Sequence, residues 1–309
     1  ELKYIIDNFV RNPEIGFVPT DSIVMTVDKA AVLRSGMKLP HGKDSIPDKM
    51  VISLKGKRKL FKNDIMMYEM LARHNWTRPL YMSTTLGSDS QAGLEKFLML
   101  EGLAARITPF ASQNEMVDTQ RMYDNFMKKF RFGNIADPNV YVDQTIMRMC
   151  YTHRMRMVQL AAQLSKEGRK KEALEVLNKC EQVFPAQQVP YDFFSLGFSP
   201  NGRQFLMPQL YHELGRDADA RRILTAVAKN TMQYMNWAST LPESRLASYG
   251  NTLMQKMQVL QIALEGLTEI KAPEAKVYDN FLKNLERTPA GQVIIQRMME
   301  RERQMQMQQ

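Results

Sequence analysis

The chain has 309 residues, 44% of them hydrophobic and 24% charged, and its 42 Lys and Arg against 33 Asp and Glu give a formal charge of +9. That length holds two domains and a large core, which excludes a disordered tail, a collagen-like fibre and a disulfide mini-scaffold. No uncharged apolar run approaches the ~18 residues a bilayer span needs, and an opening Glu1 without a basic-then-apolar leader reads as part of a longer protein.

The first third alternates strand and helix. Leu2 to Val10 has helical apolar spacing and stops before Asn12-Pro13. Ile23 to Val27 is a β-branched run with the profile of a strand, and Asp28 caps a short helix that Gly36 ends. Met50 to Leu54 is a second strand, Asn63 a helix cap ahead of Ile65 to Leu71, and Pro79 to Thr84 a third strand. Leu94 to Leu100 reads as helix and Ala105 to Phe110 as extended chain. This alternation predicts an α/β layer with a small parallel or mixed sheet over 1–117.

Strand signals stop at Met116. Asp118 or Thr119 caps a helix through Phe130, and a long helix carries Ile146, Cys150, Met157, Leu160 and Leu164 on one side. Leu160, Ala161, Leu164, Gly168, Ala173, Leu177 and Pro185 then have the spacing of a tetratricopeptide unit. Tyr211, Gly215, Ala220, Leu224 and Val227 repeat it more weakly, with Pro208 delaying or kinking the first helix. A further pair, Ser244 to Ile270 and Ala275 to Leu285, completes the stack, and Arg301 to Gln309 reads as a fraying end. The fold class is therefore α+β overall, an α/β domain at 1–117 followed by an all-α tetratricopeptide-like domain at 118–309.

Sites for chemistry are sparse. There is no G-x-G-x-x-G and no Walker lysine motif, and Leu86 to Ser90 lacks the glycines of a nucleophile elbow. The four histidines (His41, His74, His153, His212) fall in no ligand spacing and read as surface or cap residues, and Cys150 and Cys180 as small buried hydrophobes. No catalytic, cofactor or metal residue is assigned. The basic run Lys55 to Lys59 with Lys62 reads as a solvated turn, with a phosphate or anionic lipid-headgroup contact as its functional alternative; nothing points to nucleic acid. Arg78 suits an ion pair with Glu69 or Asp64. An aromatic insertion between the hairpins supplies the candidate partner-binding surface: Tyr191, Phe193, Phe194 and Phe198, with Tyr211 beyond. Packing of those rings onto neighbouring helices is the alternative.

Four segments carry a resemblance: Phe17-Val18-Pro19-Thr20 with Val27-Asp28-Lys29 and Gly36; Asn75-Trp76-Thr77-Arg78-Pro79-Leu80-Tyr81; Leu100-Glu101-Gly102-Leu103-Ala104-x-Arg106; and Val117-Asp118-Thr119 through Met122-Tyr123-Asp124-Asn125-Phe126 to Gly133-Asn134. Together they resemble the soluble carboxyl-terminal region of a bacterial multi-pass membrane protein family of unknown function. The membrane part of that family is similar to protein O-mannosyltransferases of the GT-C class. The resemblance implies a non-catalytic domain on the periplasmic side of the inner membrane, attached to a membrane-embedded amino-terminal part and engaging a protein or peptide partner through its hairpins. No catalytic residue carries over, because the GT-C catalytic positions lie in the membrane part. A free-standing tetratricopeptide-like peptide scaffold is the second expectation, and an enzyme in the α/β layer the third.

Overall fold

A computed structural model describes residues 2–10, 20–55, 57, 60–74, 76–87, 90–191 and 206–306. The chain forms two compact units, Glu1–Lys129 and Phe130–Gln309, and its architecture is α+β, with both small sheets in the first unit.

In the first unit, β1 (Ser22–Thr26) and β2 (Lys49–Ser53) form an antiparallel pair in which Ile23 faces Ile52 and Met25 faces Met50. These four side chains are buried while Val24 and Val51 point outward, the period of two that a sheet with one covered face requires. After α1 (Leu2–Ile5), helix α2 (Lys29–Arg34) is capped by Asp28, whose carboxylate accepts from Ala31 N–H. Helix α3 (Lys62–Arg73) lays Tyr68 and Leu71 on the core formed by β1, β2, Ala31, Val32 and Trp76. It starts earlier than Asn63 predicts: the Asp64 carboxylate turns back to accept from Phe61 N–H at 3.0 Å, which sets the first turn at Lys62. That role also occupies Asp64, and Glu69 pairs with Arg73, so the ion pair expected of Arg78 is not formed.

The second sheet has the order β3-β5-β4-β6, from Tyr81–Ser83, Leu98–Leu100, Ala104–Ile107 and Met116–Val117 in chain order. It is mixed: β3-β5 and β5-β4 are antiparallel, β4-β6 parallel. Leu94 to Leu100, expected as helix, is instead a single 3-10 turn (Glu95–Phe97) leading into the interior strand β4. The segment is seven residues long, and its Leu94, Phe97, Met99 and Leu100 are all buried. After the exposed Glu95 and Lys96, the apolar run Phe97 to Leu100 is too short to show a period that separates helix from strand, and pairing on both edges of β4 decides it. Helix α4 (Thr119–Asp124, continued to Lys129 as a π-helical turn), grouped by sequence with the helical half, lies in the first unit, where Arg121 donates to Gly36 O at 2.8 Å and Asn125 to Glu101 O at 2.7 Å. The division between units therefore falls at 129/130 instead of 117/118.

The second unit stacks helical hairpins. Helix α5 (Gln144–Lys166), capped by Asp143, and α6 (Lys170–Val183) close the first, with Leu160, Ala161, Leu164, Ala173 and Leu177 fully buried at their seam. Helices α7 (Leu206–Glu213) and α8 (Asp217–Ala238) make the second, and Pro208 stands in the first turn of α7, where its missing N–H costs nothing. Short α9 (Glu243–Leu246) precedes α10 (Gly250–Glu269), which pairs with α11 (Ala275–Leu285). A further helix, α12 (Pro289–Gln306), packs on α10 and carries Arg301 to Gln306 in regular structure where fraying was expected. Among the described residues no helix is long and apolar enough to cross a membrane.

All three hairpins turn the same way. Gly168 has φ +79° and Gly215 φ +74°, and each turn has one long backbone bond, Arg169 N–H to Leu164 O and Arg216 N–H to Tyr211 O. The third turn repeats the bonding, Ala272 N–H to Leu267 O at 2.8 Å, but Lys271 occupies the glycine's place at φ +55°. A side chain in this region costs about 1 kcal/mol. Lys271→Gly is therefore expected to raise stability by roughly 0.5–1 kcal/mol, readable as a higher urea midpoint with unchanged slope.

Candidate functional site

The first unit gathers a set of ionisable groups at the end of its second sheet. The β4-β5 hairpin turns through Glu101-Gly102-Leu103, with Glu101 N–H bonded to Ala104 O and Gly102 at φ +147°. The β3-β5 register sets Tyr81 opposite Arg106, so the two side chains leave the same face. Asp118 caps α4 by accepting from Arg121 N–H, which aims the first turn of that helix at Glu101.

At the centre lies the Glu101 carboxylate, 4% exposed. Its Oε2 accepts from the Tyr81 hydroxyl at 2.5 Å and from Arg121 Nη1 at 3.3 Å. Its Oε1 stands 3.9 Å from Arg106 Nη1 and finds no hydrogen-bond donor among the described residues. Arg106 is 2% exposed; its Nη2 donates to Ser35 O, and its Nε is also unsatisfied among the described residues. Arg121 completes the set through Gly36 O and Asp118 Oδ2, so Arg106 from β5 and Arg121 from α4 both hold the chain at the end of α2. Burial, then the Glu101 acceptor, hold the Tyr81 hydroxyl above its ordinary pKa, which keeps it a donor. Burial opposes the Arg121 charge, but Glu101, Tyr81 and Asp118 outweigh it and raise its pKa. The group opens into a cleft of about 520 Å³ whose outer wall adds Gln120, Asp124, Asn125 and Lys129.

Three of the four segments that carry the family resemblance meet here: Tyr81 ends one, Glu101 and Arg106 lie in the next, and Asp118 and Asn125 in the last. No motif spacing joins them, so reading for catalytic or ligand patterns passed over the cluster. The Trp76 part of the second segment is structural. Trp76, 3% exposed, stands beyond the end of α3 at φ +61°; its backbone N–H donates to His74 Nδ1 at 3.2 Å while His74 Nε2 contacts Arg78 O. Burial, then Arg106, lower the His74 pKa, so the ring is neutral with its proton on Nε2.

The aromatic residues singled out from the sequence sit elsewhere. Phe193, Phe194 and Phe198 lie outside the described residues. Tyr191 is 4% exposed and Tyr211 fully buried, so neither presents an accessible ring to a partner. The Tyr191 hydroxyl donates to Glu181 at 2.7 Å and accepts from Arg222 at 3.2 Å, and the Arg154 guanidinium lies 5.0 Å from its ring centroid. Packing onto the hairpins is thus the role of both: burial, the main cause, pushes the Tyr191 hydroxyl up to about 12 and the Tyr211 hydroxyl well above the usual range. Cys150 and Cys180 are free and buried. Among the described residues no three His, Cys, Asp or Glu side chains come together to hold a metal ion.

Residues 2–125 match the model of a family described as TMEM260-associated domain 2. The matched segment contains the Glu101 cluster and ends within the first unit. No curated protein and no solved structure matches the chain.

Proposed function

We propose that the chain is a non-catalytic extracytoplasmic module of a membrane-embedded GT-C-type glycosyltransferase. In this reading the α/β unit stays with the membrane part of the same protein, and the helical hairpins hold the protein or peptide that receives the sugar. The observation that carries it is the match of residues 2–125 to a domain defined by its association with TMEM260. It agrees with the resemblance of the motif segments to the soluble region of a membrane family related to protein O-mannosyltransferases. Stacked hairpins of the tetratricopeptide kind support the acceptor role, since such stacks bind peptides along one face. The net charge of +9 favours approach to anionic headgroups.

The test uses the complete gene product in its native membranes. Removing residues 130–309 should lower transfer of labelled sugar to protein acceptors at least tenfold while hydrolysis of the lipid-linked donor continues. Protease added to spheroplasts should cut the intact chain. Recovery of the protein from the cytosol, or undiminished transfer after the deletion, would reject the reading; a soluble protein that binds peptides would favour the free-standing scaffold instead.

A further inference from the structure

The geometry points to the Glu101 cleft as a binding site for a neutral, polyhydroxylated ligand, a sugar residue. This deepens the proposed role for the α/β unit, but it is argued from the chemistry of the cleft alone.

The first observation is the balance of the walls. Acceptors come from Glu101, Asp118 and Asp124, donors from Arg121, Lys129 and the amide of Asn125. An anion entering the cleft meets three carboxylates, and a cation meets Arg121 and Lys129 with Arg106 behind them. A hydroxyl group both donates and accepts, so a ring carrying several of them finds a complement on each side without a charge to repel. The second observation is the paired charge of the floor. Glu101, 4% exposed, fills two of its four lone-pair sites, both on Oε2, and Oε1 accepts nothing among the described residues. Oε1 has no surface open to solvent and faces Arg106 Nη1 at 3.9 Å, so the floor is a paired charge that favours a neutral ligand over an ion. The third is Tyr81, 44% exposed at the mouth, whose ring edge and face offer an apolar surface to the C–H side of a pyranose while its hydroxyl stays committed to Glu101. The volume, about 520 Å³, lies within the range of small-molecule sites and takes one or two sugar rings.

The experiment is saturation-transfer NMR on the 309-residue chain with methyl glucoside, methyl galactoside and methyl mannoside. Glucuronate, glucosamine and inorganic phosphate serve as charged controls. At least one neutral glycoside should bind saturably, with the charged probes at least about fivefold weaker. Tyr81→Ala, which removes the ring surface, and Glu101→Gln, which removes the charge that holds Tyr81 and Arg121, should each weaken that binding about tenfold. Because Glu101→Gln disturbs the fold, Gln120→Ala, on the outer wall, serves as the variant that keeps it and should weaken binding about threefold. Absence of saturable glycoside binding, preference for phosphate or glucuronate, or unchanged affinity in both Tyr81→Ala and Gln120→Ala would overturn the assignment. Removal of the helical unit tests acceptor transfer and the glycoside titration of the whole chain tests the cleft, so the two ideas fail separately.

Discussion

Arg154→Met is expected to lower the stability of the helical unit by about 3 kcal/mol, with Arg154→Lys recovering less than half of the loss. Arg154 lies in the middle of α5 and is 1% exposed. Its guanidinium donates to Phe184 O at 2.7 Å, Val189 O at 2.6 Å and, more weakly, Pro190 O at 3.4 Å. These carbonyls belong to the chain just after α6, where Pro185 has ended the helix and no backbone N–H among the described residues donates to them. Phe184 and Val189 are themselves buried, so water is a poor substitute. Methionine fills the volume but supplies no donor, leaving two short bonds unmade at roughly 1–3 kcal/mol each. Lysine restores the charge but puts all its donors on one atom, where three carbonyls in different directions call for a planar fork. Urea unfolding followed by far-UV circular dichroism measures the loss, and hydrogen exchange at 184–191 locates it. A cost below about 1 kcal/mol would mean that the Arg154 fork is dispensable to this segment.

The fold was legible wherever a local rule and the tertiary contacts agree. Gly168 and Gly215 announce two hairpins because the turn needs φ > 0, and both glycines have it. Ala161 and Ala173 announce the close seam because nothing larger fits there, and both are fully buried. The third hairpin has the same turn but uses Lys271, so its signature was missing although its backbone was not. Strand β4 was unreadable for the opposite reason: a fully apolar run satisfies helix and strand alike, and only its neighbours β5 and β6 choose. Tyr191 and Tyr211 show that aromatic richness does not separate a docking face from a packed one, because both are sequences of rings between helices. The Glu101 cluster is non-local altogether. Its members are separated by up to 40 positions, from Tyr81 to Arg121, and only the strand register and the α4 cap bring them together.

Glu101→Gln and Arg106→Met are each expected to destabilise the α/β unit by about 3 kcal/mol, and the double variant by little more than either alone. The carboxylate and the guanidinium are 4% and 2% exposed, and each alone would be a charge withdrawn from water with its partner gone. The Nη1 to Oε1 distance of 3.9 Å makes this a charge pair rather than a full hydrogen bond, so the energy lies in mutual neutralisation. Glutamine keeps the shape and still accepts from Tyr81, which isolates the loss of charge; Arg121, whose side chain is 35% exposed, retains solvent and contributes less. Burial also predicts that added salt leaves the coupling nearly unchanged, whereas an exposed pair such as Lys29–Asp48 is screened. The chain has two tryptophans, Trp76 in the first unit and Trp237 in the second, so a Trp237→Phe background makes emission report on the α/β unit alone. Denaturant unfolding of the four members of the cycle in that background gives the coupling directly. Additive losses would show that Glu101 and Arg106 are stabilised separately, by Tyr81 and Arg121 on one side and Ser35 on the other. The spare oxygen of Glu101 would then be a consequence of packing and not a partner held for Arg106.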